Sequence, residues 1–82
     1  VSSRFQRTAR RIVQDLQAFA GGDISRWVMV YSIARRLELR DHDLIDRAIV
    51  YAHECGWIEI QGLDSVKLTD AGQRLLVRMP KR

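Results

Sequence analysis

Near the start of the chain, apolar residues recur at intervals of one, three and four. In RFQRTARRIVQDLQAFAGG this spacing sets Phe5, Ala9, Ile12, Val13, Leu16 and Phe19 on one side of an α-helix. Arg4, Arg7, Arg11 and Gln14 fall largely on the other side, a solvated outer face before it is a phosphate-facing patch. Gly21–Gly22 ends the helix, since glycine tolerates the left-handed conformation common just past a helix. In the next segment, DISRWVMVYSIARRLEL, Asp23 or Ser25 can cap a helix running from about Arg26 to Glu38, after a very short strand at Asp23–Ser25. From Trp27 to Ala34 every residue except Ser32 is apolar or aromatic. A helix so apolar around its circumference is either enclosed in the core or carries a second buried face. Val28, Met29 and Tyr31 cannot point the same way as Val30, Ala34 and Leu37. Trp27, Val28, Met29 and Tyr31 are therefore a candidate interaction surface, set against the plainer reading of an enclosed core helix.

The stretch RDHDLIDRAIVYAHECG predicts a third helix, capped by Asp41 or His42 and closed by Gly56. Ile45, Ala48, Ile49, Ala52 and Cys55 make its inward stripe, with Leu44 at the edge. Asp43, Asp46, Arg47, Val50, His53 and Glu54 look outward. After Gly56 the period changes. WIEI and VKL are short runs rich in β-formers, joined by QGLDS with its turn residues Gly62, Asp64 and Ser65, so they predict a hairpin. Ile58 and Ile60 should share its inner face with Val66 and Leu68, while Glu59 and Lys67 point outward and pair across the strands. Thr69 caps a last helix, DAGQRLLVRM, whose apolar side is Ala71, Leu75, Leu76 and Met79 and whose end is marked by Pro80. Gly72 within it costs up to about 1 kcal/mol against alanine, so a close backbone approach should require it.

Helix, short strand, helix, helix, hairpin, helix is the order predicted: a mainly α chain with a small β-hairpin, of the α+β class. Its 82 residues make a single domain, 1–82, with loose tails at 1–3 and 80–82. Hydrophobic residues are 46% and charged residues 29%, so a packed core is within reach and disorder of the whole chain is not expected. The longest apolar run, WVMVY, is far below the roughly 18 residues of a membrane span. Arg4, Arg7, Arg10 and Arg11 interrupt any signal-peptide core, and the single cysteine, Cys55, fits a reducing compartment; a cytoplasmic location is the expectation.

Charge changes the picture more than composition does. The net charge of +4 and pI near 10 make an anionic partner worth seeking. Yet residues 41–60 hold Asp41, Asp43, Asp46, Glu54 and Glu59 against Arg47 alone. Three of these acids lie in the first turns of the third helix, where the helix dipole favours them. Catalytic chemistry finds little support. His53 and Cys55 are two apart on a helix and face different directions, so neither a metal site nor an activated thiol is indicated. Ser25, Ser32 and Ser65 lie in no nucleophile elbow, and no phosphate-binding glycine loop is present. The expectation is a binding domain with no cofactor and no enzymatic activity.

IARRLELRDHDLIDRAIVYAHECGWIEI followed by SVKLTDAGQRLL resembles the winged helix-turn-helix superfamily of bacterial transcriptional regulators. Ile33, Ala34 and Leu37 look like the "IA..L" of its second helix; Ile45, Ala48, Ile49, Ala52 and Gly56-Trp57-Ile58 look like the third helix and its exit into the wing. The resemblance covers about Phe5 to Met79. It implies double-stranded DNA as partner, the third helix in the major groove, the wing on the backbone, and a possible homodimer. Arg26, Arg40, His42, Arg47, Gln61 and Lys67 are the residues it would place around a DNA backbone. The sequence departs from the pattern twice. Glu38 stands where a glycine is usual, in a turn one residue longer, and Asp41, His42, Asp43 and Asp46 stand where DNA readers favour Ser, Thr, Gln, Asn or Arg. Affinity for DNA comes largely from Lys and Arg, so an acidic third helix is a poor groove reader alone. The alternative is a protein-interaction winged helix, in which that helix meets a basic partner and the Trp27–Tyr31 surface supplies aromatic anchors.

Overall fold

The computed structural model describes residues 3–20, 26–62 and 64–78, with their side chains except those of Ala20 and residues 75–78. Among these, four helices and one antiparallel sheet follow in the order α1 (Arg4–Ala20), β1 (Val28–Met29), α2 (Val30–Arg36), α3 (His42–Glu54), β2 (Ile58–Gln61), β3 (Ser65–Leu68) and α4 (Asp70–Arg78). The mainly helical α+β class and the order of elements are those expected. No helix among the described residues is long and apolar enough to cross a membrane.

The core is made chiefly by α1 against α3. Ala9, Ile12, Val13 and Leu16 are buried on α1, and Ile45, Ala48, Ile49 and Ala52 on α3. Ala48 and Ala52 are wholly buried, and their small side chains let the two helices approach closely. Each buried isoleucine or leucine contributes about 1.5–3 kcal/mol through area removed from water. Phe19 does not join this stripe. It stands in the last turn of α1 with 43% of its surface exposed, where it meets guanidinium groups instead of core side chains.

The second segment is rearranged relative to expectation. The helix begins at Val30 rather than near Arg26, and the strand before it is Val28–Met29. The strand and caps placed at 23–25, and the Gly21–Gly22 stop, lie outside the described residues. The reason for the shift is pairing: Val28 lies opposite Val66 and Met29 opposite Ser65, and the Val30 amide donates to the Asp64 carbonyl at 2.7 Å. That bond satisfies an orphan donor at the start of α2, where Met29 supplies no side-chain cap.

Both helices of the central pair end alike. At α3 the Gly56 amide donates to the His53 carbonyl and the Trp57 amide to that of Ala52, a Schellman arrangement with Gly56 at φ 79°. At α2 the Glu38 amide donates to Arg35 and the Leu39 amide to Ala34, the same pair of bonds, with Glu38 at φ 57°. Glu38 thus occupies a left-handed position without being glycine. Asp41 caps α3 as expected, its Oδ1 accepting from the Leu44 amide at 3.2 Å. Cys55, expected on the inward stripe, is instead the exposed C-cap residue, because α3 ends at Glu54 and the chain turns there. Its thiol serves the Tyr51 phenol, whose pKa is raised first by their hydrogen bond and then by desolvation.

The sheet runs β1-β3-β2, with Ile58 opposite Leu68, Ile60 opposite Val66 and Glu59 opposite Lys67. Ile58, Val66 and Leu68 are buried and Ile60 packs against the core, as expected. The strands begin one residue later than WIEI and one earlier than VKL, so Gln61 pairs with Ser65 and Trp57 lies outside the ladder. Trp57 instead continues an edge-to-face row of rings, Phe5–Tyr51 at 5.6 Å and Tyr51–Trp57 at 5.7 Å. Thr69 caps α4: its Oγ1 accepts from the Gly72 amide at 3.1 Å and donates to the Gly56 carbonyl. A Cβ on Gly72 would fall against the Trp57 carbonyl group and within 2.9 Å of the Leu68 side chain, so the close approach expected of this glycine is present. Met79 and Pro80 lie outside the described residues.

A left-handed conformation costs a non-glycine residue about 1–2 kcal/mol, and glycine gives back about 0.5–1 in chain entropy. Glu38→Gly should therefore stabilise the domain by about 0.5–1 kcal/mol, and Gly56→Ala should destabilise it by about 1, both read from urea denaturation midpoints.

Candidate functional site

Side chains alternate across a strand, so burying Val28 against Val66 forces its neighbours outward. Trp27 and Met29 emerge on the outer face of the sheet at 40% and 51% exposure, and Tyr31, in the first turn of α2, at 64%. These are large apolar groups left in water within one short segment. Of the four residues proposed as an interaction surface, Val28 is corrected to the core, because it is the one that faces the packed side of the sheet.

A cation lies against every exposed ring here. The Lys67 Nζ is 4.9 Å from the Trp27 ring centroid, and the Arg35 guanidinium is 5.6 Å from that of Tyr31. Arg26 and Arg36 sit 4.8 and 4.3 Å from the ring of Phe19. Arg36 is fixed further by Asp15, whose carboxylate accepts from its Nε at 3.0 and 3.1 Å, and by Ser32, which accepts from Nη1 at 2.9 Å. The hydrogen bond with Asp15 raises the Arg36 pKa, outweighing a smaller desolvation effect. Tyr31, Ser32, Arg35 and Arg36 line one shallow depression. These contacts link Phe19 and Arg26, through Arg36, to Arg35 and Tyr31 on α2, and Trp27 with Lys67 forms a further ring–cation pair on the outer face of the sheet. Of the carboxylates beside these groups, Asp15 is engaged with Arg36 and Glu59 lies 3.9 Å from Lys67, while Glu38, Asp46 and Asp64 line the neighbouring cleft together with Tyr31 and Arg35.

The outward side of α3 is the opposite in sign. Asp41, Asp43, Asp46 and Glu54 are exposed there with Arg40, Arg47 and Val50. A cleft of about 480 Å³ separates α3 from α2 and the hairpin turn. Val30, Ala34, Leu39 and Ile45 form its apolar base, and its rim mixes Arg35, Arg40 and His42 with Glu38, Asp46 and Asp64. Among the described residues, no three of His, Cys, Asp and Glu gather as ligands for a metal ion.

The structure thus divides the residues proposed for DNA contact. Arg26 and Lys67 join Trp27, Met29 and Tyr31 on the cation–aromatic face, uniting parts of two separate candidate sets. Arg40 and His42 lie at the cleft, Arg47 on the far flank of α3 beside Phe5 and Tyr51, and Gln61 at the exposed end of β2. Sequence reasoning missed Arg35, Arg36 and Phe19. The ARR run of α2 carried a signal for the arginines, since residues four apart (Tyr31–Arg35, Ser32–Arg36) share a helix face. Comparison with protein-family models, with curated proteins and with solved structures finds no match to this chain.

Because Phe19 meets cations rather than core, Phe19→Ala should cost less than about 1 kcal/mol of stability in thermal or urea unfolding. Leu16→Ala, one turn earlier and fully buried, should cost about 2–5 kcal/mol.

Proposed function

We propose that the chain is a winged-helix domain that binds duplex DNA, gripping the phosphate backbone with the cation–aromatic face of β1 and α2 rather than reading bases with α3. Support for the winged helix comes from the order of elements, the three-stranded sheet and the resemblance of residues 5–79 to that superfamily. Support for DNA comes from one observation above the others: Arg26, Arg35, Arg36 and Lys67 each stand against an aromatic ring exposed at the end of α1, before β1 or on α2. Phosphate neutralisation by such cations supplies most of the affinity of sequence-independent binding. The resemblance extends the proposal to control of transcription.

The acidic side of α3 favours a second reading, in which Asp43, Asp46 and Glu54 meet a basic protein. The readings separate on charge. At about 0.1 M salt, interactions between exposed charges fade over roughly 10 Å. Asp46 lines one cleft with Tyr31 and Arg35, but Asp43 and Glu54 do not, so neutralising those two should leave DNA binding by the other face nearly unchanged.

Random duplex DNA should bind at low salt and dissociate as salt rises, with Arg26→Gln or Lys67→Gln each lowering the slope of log affinity against log salt by about 1 in fluorescence anisotropy. No binding at low salt would remove the proposal. The double variant Asp43→Asn/Glu54→Gln should keep duplex affinity within about twofold; a gain of tenfold or more would place α3 against the phosphates after all.

A further inference from the structure

Phosphate neutralisation explains the cations of this face but not its rings. Trp27, Met29 and Tyr31 remain in water, and the Trp27 and Tyr31 rings each have a cation against them. We infer that the face binds an unpaired stretch of single-stranded DNA, whose bases stack on Trp27 and Tyr31 while Arg26, Arg35 and Lys67 take the neighbouring phosphates. The inference rests on the reading that this face meets DNA and narrows what form of DNA it prefers. Bases in a duplex are stacked on one another and offer a protein their edges; unpaired bases offer their faces. Rings interleaved with cations match the alternation of base and phosphate along one strand. Charge complementarity also limits the path of the strand, because the carboxylates of α3 repel phosphates that stray from the β1–α2 side. An acidic peptide would use the same cations yet has no planar group to match the rings.

The test measures binding of labelled twelve-residue thymidine strands, of strands with the same phosphates but abasic sugars, and of a twelve-base-pair duplex at low salt. Thymidine strands should bind about tenfold or more tightly than abasic ones. Trp27→Ala and Tyr31→Ala should each weaken thymidine-strand binding by about 5- to 100-fold, with duplex affinity held within about twofold, and Trp27→Phe should recover most of the loss. Both positions are exposed, and circular dichroism melting checks that the variants fold. Equal binding of thymidine and abasic strands, unaltered binding by both alanine variants, or displacement of thymidine strands by polyglutamate as effective as by unlabelled strand would each overturn the inference. Stacking-dependent binding of single strands without any duplex binding would overturn the duplex proposal and leave this one standing. Duplex binding without the thymidine preference would do the reverse.

Discussion

The pairing of Val28 with Val66 is the constraint from which the rest of the surface follows. A sheet with one buried face has no freedom of register: a slip of one residue would exchange its two faces. With Val28 inside beside Val66 and Ile60, Trp27 and Met29 have to stand outside, on the side where Lys67 also emerges. The same pairing shortens α2. Residues that could have made about one further helical turn are drawn out to form β1, and the hydrogen bond from Val30 to Asp64 starts the helix where the strand ends. A two-residue strand thereby decides both what the core contains and what the solvent meets.

The two charged faces have different physical origins. The acids of α3 are partly structural: Asp41 caps the helix and Asp43 sits in its first turn, where the dipole stabilises a carboxylate. Those two need no partner to explain them. The cations of the β1–α2 face are explained by helix ends and ion pairs in part, since Arg35 and Arg36 stand in the last turn of α2 and Arg36 and Lys67 meet carboxylates. Lys67 also lies over Trp27, however, and Arg35 over Tyr31, in contacts that keep ring and charge at the surface. Cation–π contacts at exposed sites contribute only about 0.5–1 kcal/mol each. Stability is a weak reason for such an arrangement, and recognition of an anion is a stronger one.

Much of the architecture was legible in the sequence, and the exceptions share a cause. The stripes of α1 and α3 are regular, the first hairpin strand is bounded by Gly56 and Gly62, and Gly72 announces a close approach, so local pattern suffices for each. WVMVY is apolar under any periodicity, and its partition into strand and helix is settled by Val66 and Asp64, far along the chain. Phe19 and Cys55 fit their helical stripes by spacing, but each stands at a helix end, where the next element no longer covers the face. The site was legible only in halves. Trp27, Tyr31, Arg26 and Lys67 were each candidates, but for different partners, because nothing local shows that the fold sets Lys67 against Trp27.

If the domain meets duplex DNA as proposed, the β1–α2 face carries the contact. Two-dimensional amide NMR of the labelled domain, titrated with a short duplex at low salt, locates that face residue by residue. Shifts should be largest across amides 26–36 and 65–67, with those of 43–54 nearly still. Shifts concentrated along α3, with the β1–α2 amides unmoved, would contradict the proposal.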